Sequence, residues 1–253
     1  MALRRILGLQ ARYLRLGRLG GFCAGFRAIA ERALVRTLGG RGGRECPLCG
    51  WRGPLFLSAY YFDRFRTGAF CPGCGAAERH RTLKIVLERE LSGFFREKRR
   101  RVLDVAPIRR ARELFRFASV DYVSFDYESP LAQVHGDLRK TCFPDACFDF
   151  VLCYHVLEHI REERAAVGEI FRVLRPGGVA ILQVPWERGL AKTVEYAAPR
   201  EEEEGHVRRY GRDVAERWRR AGFQPKFSEM TLDPALVRRH GLEPDVWMRV
   251  SKP

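Results

Sequence analysis

The sequence predicts an α/β protein built on an open, mostly parallel sheet with helices on both faces, preceded by a small four-cysteine metal module. Two observations carry this expectation. From Arg101 onward, short runs rich in Val, Ile, Leu and Phe (RVLDVAP, DYVSFDY, AQVHGDL, FDFVLCYH, GVAILQVP) alternate with helical stretches, the pattern of parallel strands joined by crossover helices. Upstream, the frame CPxCG occurs twice, as CPLCG and CPGCG. The chain of 253 residues is long enough for one large domain with an appendage. No apolar run approaches the roughly 18–20 residues that cross a bilayer.

Residues 1–45 form a first, basic segment. They carry ten arginines and no acid before Glu31, and Leu3, Ile6, Leu7, Tyr13, Leu14 and Leu16 recur at roughly helical spacing. A basic amphipathic helix is expected, suited to peripheral contact with an anionic membrane through residues 1–30 or to packing on the rest of the protein. A targeting peptide would also be arginine-rich, but serine, its usual companion, is missing here. LGGRGGRE, residues 38–45, reads as a flexible boundary. The whole chain carries a net charge of +15, and only six of its 46 basic residues are lysine. Such an excess attracts polyanions, nucleic acid included, or is simply a solvated arginine-rich surface.

Residues 46–98 read as a zinc ribbon plus a connecting helix. Cys46, Cys49, Cys71 and Cys74 follow C-x2-C-x21-C-x2-C. Each CPxCG turn aims two sulfurs at one point, and two such turns complete a tetrahedron around Zn2+. Four thiolates leave no position open for water, so the expected metal is structural. The other cysteines, at 23, 142, 147 and 153, stand singly, which fits thiolate ligation in a reducing cytoplasm better than a disulfide framework. Residues 76–98 place Leu83, Val86, Leu87 and Leu91 on one helical face.

Residues 99–253 hold the sheet. Asp104, Asp126 and Asp137 close three successive strand-like runs. Ligands of open parallel sheets bind beyond those carboxyl ends, and an acid at the second strand end can accept the hydroxyls of a ribose. RRARELFRFA, after the first strand, reads as a helix. YHVLEHI contains His155, Glu158 and His159 in the H-x-x-E-H spacing of zinc hydrolases. That chemistry needs both imidazoles on a formed helix, whereas FDFVLC makes YHVLEHI a strand-to-helix turn. GRDVAERWRRAGF reads as a further helix, with Asp213 at its start and Gly222 at its end. PDVWMRVS closes the sheet.

RVLDVAP, FDYES, the acid of HGDL, FPDACFDFVLCYHVLEHI and FRVLRPGGVAILQVP stand in an order that resembles the class I S-adenosylmethionine-dependent methyltransferases, type 11 family. CPGCGAAERHR, VAPI and GHVRRYGRDVAERWRRAGF resemble a bacterial subgroup of that family with an N-terminal CPxCG module. The resemblance implies a Rossmann-like seven-stranded sheet whose last strand is antiparallel. It implies S-adenosyl-L-methionine bound by Asp104, Ala106, Asp126, Tyr127, Asp137, Leu138 and His155: Asp104 near the methionine moiety, Asp126 on the ribose, Asp137 and Leu138 by the adenine. Where the family continues from its first acid into G-x-G, this chain has Val105, Ala106, Pro107 and Ile108.

On the acceptor side, His159 and His206 are the candidate general bases. Glu158, Trp186, Arg208 and Tyr210 are the candidate substrate residues. The stretch also resembles the E-x-x-E-H of some O-methyltransferases that bind a divalent ion, with His155 in the place of the first Glu. Glu158 and His159, with His206, would be the ligands. Three functions stay open: methylation of a small molecule or glycan precursor, methylation of RNA, and a non-enzymatic binding module.

Overall fold

The computed structural model describes residues 19–61 and 64–253. The amphipathic helix expected over residues 3–16 lies outside them. In chain order the elements are α1 (Leu19–Leu38), β1 (Arg44–Glu45), β2 (Arg52–Gly53), β3 (Leu57–Tyr61), β4 (Arg64–Phe70), α2 (Glu78–Glu90), α3 (Ser92–Arg96), β5 (Arg100–Val105), β6 (Val120–Asp126) and β7 (Val134–His135). There follow β8 (Phe148–Tyr154), α4 (Glu163–Val173), β9 (Leu174–Gln183), β10 (Val194–Arg200), β11 (His206–Arg209), α5 (Val214–Arg219), β12 (Gln224–Glu229), α6 (Pro234–His240) and β13 (Val246–Ser251). No described helix is long and apolar enough to cross a membrane.

The chain forms two compact units. The first runs through Leu87 and takes back Thr231–Pro244, a stretch between the last two strands of the large sheet; the second is Glu88–Met230 with Asp245–Pro253. The sequence-based division keeps everything from residue 99 onward together, whereas the compact units group Thr231–Pro244 with the first.

Two antiparallel pairs, β1 with β2 and β3 with β4, build the first unit. Glu31 of α1 accepts hydrogen bonds from the Ser58 backbone N–H and hydroxyl at 2.6 Å each. The returning stretch carries α6, whose ends have strong local signals. Asp233 accepts from the Ala235 N–H at 2.7 Å, Pro234 stands at the first turn, and Gly241 closes the helix at φ 56°. Arg81, fully buried, ties this stretch to the cysteine turns. Its guanidinium donates to the carbonyls of Gly68, Ala69, Ala76, His240 and Gly241 at 2.7–3.2 Å and stacks 4.0 Å from the Phe56 ring. Five donors in a rigid planar fork are what arginine has and lysine lacks.

The second unit is a seven-stranded sheet in the order β12-β13-β9-β8-β5-β6-β7. β9, β8, β5, β6 and β7 run parallel to one another, and β13 is antiparallel to both β9 and β12. The expected Rossmann-like sheet with an antiparallel last strand is therefore present. β8 is buried from Phe148 to Cys153, as a central strand covered on both faces must be, and it reads as an unbroken apolar run except for Asp149. Helix α4 buries Ala166, Val167, Ile170 and Val173, the one-sided spacing of a helix laid on a sheet.

One crossover departs from expectation. RRARELFRFA forms only a 3-10 turn, Ala111–Phe115. Fourteen residues must return from the end of β5 to the start of β6, and a 3-10 turn advances about 2.0 Å per residue against about 1.5 Å for an α-helix. The tighter coil therefore covers the distance with fewer residues.

Candidate functional site

Strand register gathers the expected residues at one edge of the sheet. Val105 pairs with Phe125 and Cys153, and Asp126 pairs with His135. Ala106, Asp126, Tyr127, Gly136, Asp137 and His155 thus follow adjacent strand ends. A cleft of about 530 Å³ opens there, lined by Ala106, Asp126, Tyr127, Asp137, Leu138 and His159, with Arg139, Val156, Ile160, Arg161, Glu162 and Val207 among its other walls. Its size lies within the roughly 300–1,000 Å³ usual for small-molecule sites.

The details of the cleft suit a nucleoside ligand. Asp126 uses one oxygen, Oδ1, to accept the Glu128 and Ser129 N–H groups at 2.9 and 2.8 Å. The turn holds the carboxylate at the strand end while Oδ2 takes neither amide. Tyr127 is 73% exposed, an apolar ring available for a partner. Asp137 is gripped by Arg139, whose Nε lies 2.9 and 3.0 Å from its two oxygens. That arginine holds its carboxyl below the usual range. Arg139 also bonds Glu162. Where the sequence lacks glycines, Ala106 nevertheless takes the left-handed conformation, φ 56°, with its N–H donating to Phe125 O at 2.9 Å. The turn geometry is kept at a cost of roughly 1 kcal/mol for the β-carbon.

Asp104 does not line the cleft. It sits behind it, 3% exposed, accepting from the Tyr122 hydroxyl at 2.6 Å. Burial pushes its carboxyl up to about 7, against the smaller opposing effect of that hydrogen bond. Tyr122 was not foreseen, although an acid in the middle of an apolar strand requires a partner from the neighbouring strand.

YHVLEHI is a strand end followed by a 3-10 turn, Leu157–His159. His155 has φ 58°, and its N–H donates to Gln183 O at 2.9 Å. Its Nδ1 lies 3.1 Å from Glu158 Oε1. Glu158 is 1% exposed, and its Oε2 has no hydrogen-bond partner among the described residues. His159 faces His206 of β11 with ring centroids 5.0 Å apart. Burial holds His206 below its ordinary pKa. One ligand-capable atom from each of Glu158, His159 and His206 lies within 4.8 Å of the other two.

Arg208 and Tyr210, expected to touch substrate, are instead interior, at 1% and 0% exposure. Arg208 donates to the carbonyls of Leu157, Ile160 and Arg161 at 2.6–2.7 Å and to Glu195 at 2.9 Å. It clamps the turn that carries Glu158 and His159. Trp186 donates from Nε1 to Gly211 O at 3.0 Å and packs near Phe227, holding the chain after β9.

The four cysteines converge as expected. Cys46 and Cys74 sulfurs are 3.8 Å apart, Cys49 and Cys71 sulfurs 3.7 Å, and all four lie within 4.8 Å of one another. A tetrahedral Zn2+ with bonds of about 2.3 Å sets its sulfurs about 3.8 Å apart. Gly50 and Gly75, at φ 71° and 76°, donate back to Cys46 O and Cys71 O at 2.9 and 2.8 Å, closing both turns. Hydrogen bonds from Cys71 and Cys74 hold the Cys46 thiol down, and Cys46 in turn pushes Cys74 up to about 12. Four sulfurs this close cannot all ionise without a cation between them, so the donor set is compatible with zinc.

Residues 90–182 match the family described as "Methyltransferase domain". The chain is similar to this family over that segment, which is less than half of its length. The chain is 45% identical over 51 residues to a probable S-adenosylmethionine-dependent methyltransferase of Mycolicibacterium smegmatis, 20% of each chain. It is 31% identical over 75 residues to ajmaline N-methyltransferase of Rauvolfia serpentina, 30% of this chain and 26% of that one. The matches thus span about a fifth to a quarter of these relatives. Among solved structures, 1,6-didemethyltoxoflavin-N1-methyltransferase of Burkholderia thailandensis superposes with a TM-score of 0.46 at 19% identity, covering 65% of this chain and 78% of that chain.

Proposed function

We propose that the chain is an S-adenosylmethionine-dependent methyltransferase whose acceptor is a small molecule or glycan precursor. The observation that carries this reading is the cleft at the parallel strand ends, with Asp126 at the end of the second strand and Tyr127 exposed beside it. Asp126 Oδ2 would accept the ribose hydroxyls, Tyr127 and Leu138 would cover the adenine, and Asp104 would face the methionine end from behind Ala106. The cofactor supplies an electrophilic methyl on a sulfonium, taken by an acceptor lone pair as the C–S electrons return to sulfur.

The protein's contribution is alignment. Holding acceptor and methyl in line replaces a bimolecular encounter by a positioned one. Ala106 and the His155 turn fix the two walls, Arg208 sets the turn bearing Glu158 and His159, and His159 and His206 act on the acceptor's proton. Cys46, Cys49, Cys71 and Cys74 hold a structural Zn2+ that organises the first unit and leaves no coordination position for substrate.

A small acceptor is favoured over RNA because the arginines at the cleft are already paired. Arg139 is held by Asp137 and Glu162, and Arg161 donates to the carbonyls of Tyr196 and Ala197 at 2.9 and 3.3 Å. Committed guanidiniums offer little to a phosphate backbone. The test is retention of total RNA across a salt series. Weak, flat retention is expected, and a steep loss of tight binding with rising salt would move the reading to RNA.

A further inference from the structure

We propose that Arg139 latches the nucleoside end of the cleft: it occupies the Asp137 carboxylate that an adenine amino group needs, and an incoming adenine nucleoside displaces it. This rests on the methyltransferase reading above and deepens it, by naming the residue that sets how strongly the base is read.

Two aspartates that follow adjacent strand ends are held in opposite ways. Asp126 takes two backbone N–H groups on Oδ1, and Oδ2 takes neither. Asp137 takes the Arg139 backbone N–H on Oδ1 at 2.8 Å and the Arg139 side chain as well. Nε lies 3.0 and 2.9 Å from Oδ1 and Oδ2, and Nη2 lies 2.6 Å from Oδ2. A carboxylate offers about four lone-pair sites. These contacts fill them, and all come from one residue. The oxygen that the backbone leaves free, Oδ2, is the one the guanidinium covers.

The exocyclic amino group of adenine is a donor and needs an acceptor of this kind. Asp137, Leu138 and Arg139 line the cleft together with Tyr127. A base seated against Tyr127 and Leu138 therefore meets a carboxylate with no lone pair to offer until the arginine moves. Displacement is within reach of a ligand for two reasons. The side chains of Asp137, Arg139 and Glu162 are between 34% and 54% exposed, and exposed ion pairs contribute little net stability. Glu162, just before α4, also lines the cleft and accepts from Arg139 Nη1 at 2.5 Å, so the guanidinium keeps one carboxylate when it leaves the other. Arg139 holds both carboxyls below their usual range. It stays paired with the latch open or closed, and in neither position is it free for a phosphate.

Adenosine and purine riboside differ only in the amino group, and both are uncharged, so their affinities for the purified full chain isolate how strongly that group is read. Calorimetry on wild type and Arg139→Met makes the comparison. The variant keeps the backbone N–H on Oδ1 and frees Oδ2, the arrangement Asp126 already has. Its preference for adenosine should exceed that of the wild type by about two- to fivefold, the span that releasing an exposed ion pair allows. Arg139→Lys should fall between the two. Added salt should raise the wild-type preference toward that of the variant, because screening loosens the latch. An unchanged preference in both variants overturns the latch. So does a reduced one, which would mean that the arginine presents the carboxylate to the base. S-adenosylmethionine is titrated in parallel. Cofactor binding with an unchanged preference keeps the methyltransferase reading and removes the latch, and a raised preference without cofactor binding does the reverse. No binding of any of the three ligands overturns both.

Discussion

The Tyr122 hydroxyl donates a 2.6 Å hydrogen bond to Oδ2 of Asp104, joining two adjacent parallel strands beneath the cleft floor. Burial dominates there and lifts Asp104 to about 7, from 3.8. A carboxyl raised in the folded state contributes stability fully below its unfolded pKa and loses it as pH rises through the folded one. Stability should therefore fall between about pH 4 and 7, and Asp104→Asn should remove that slope. Denaturant melts at pH 5 and 8 measure it. An ionised Asp104 also attracts a cationic ligand, so affinity for S-adenosylmethionine should rise across the same window, and a flat profile would separate Asp104 from the cofactor.

Arg208 holds the Leu157–Arg161 backbone through three carbonyls, and the proposed function makes it a positioning residue. Arg208→Met leaves three carbonyls without their donor, and we predict a stability loss of about 2–4 kcal/mol. In variants that stay folded, kcat should drop while cofactor affinity changes little. Arg208→Lys should recover only part of the loss, since one ammonium cannot replace the fork. Equal losses of kcat and cofactor affinity would mean that the clamp acts on the whole fold.

Ala106 holds φ 56° without being glycine. Ala106→Gly removes a β-carbon penalty of roughly 1–2 kcal/mol and adds about 0.5–1 kcal/mol of unfolded-chain entropy. A net gain of up to about 1.5 kcal/mol is expected, read as a small rise in Tm. A fall in Tm would show that the methyl group makes packing contacts that outweigh the strain.

Metal analysis of the purified chain should return one zinc per chain at the cysteines. A strong chelator should lower the first unit's melting transition, because four clustered sulfurs then keep their protons and the turns lose their tie. Arg81→Leu should weaken zinc retention as well, since Arg81 bonds Ala76 O beside the second turn. Full zinc retention in that variant would confine Arg81 to the returning stretch.

Much of this was legible because the relevant signals are local. Two CPxCG frames specify two sulfur-bearing turns, and the continuous run FDFVLC specifies a central strand, which in turn denies YHVLEHI the helix a zinc hydrolase needs. Burial was not legible: Arg208 and Tyr210 look like surface chemistry in HVRRYG, and only the tertiary contacts with the Leu157–Arg161 carbonyls turn the arginine inward. The grouping of Thr231–Pro244 with the first unit rests on tertiary contacts in the same way. Asp233, Pro234 and Gly241 mark a helix plainly, but its partners, Glu45, Thr82 and Arg81, lie about 160–195 residues away in sequence.

The central claim is that the cleft at the strand ends binds S-adenosylmethionine through Asp126. Calorimetric titration of the purified chain should show one cofactor per chain, with Asp126→Ala weakening it about tenfold or more through loss of the ribose acceptor, a charged hydrogen-bond partner worth roughly 1.5–3 kcal/mol. No heat at millimolar cofactor would contradict the account and leave the sheet as a binding scaffold. Unchanged affinity in Asp126→Ala would contradict the placement of the ribose.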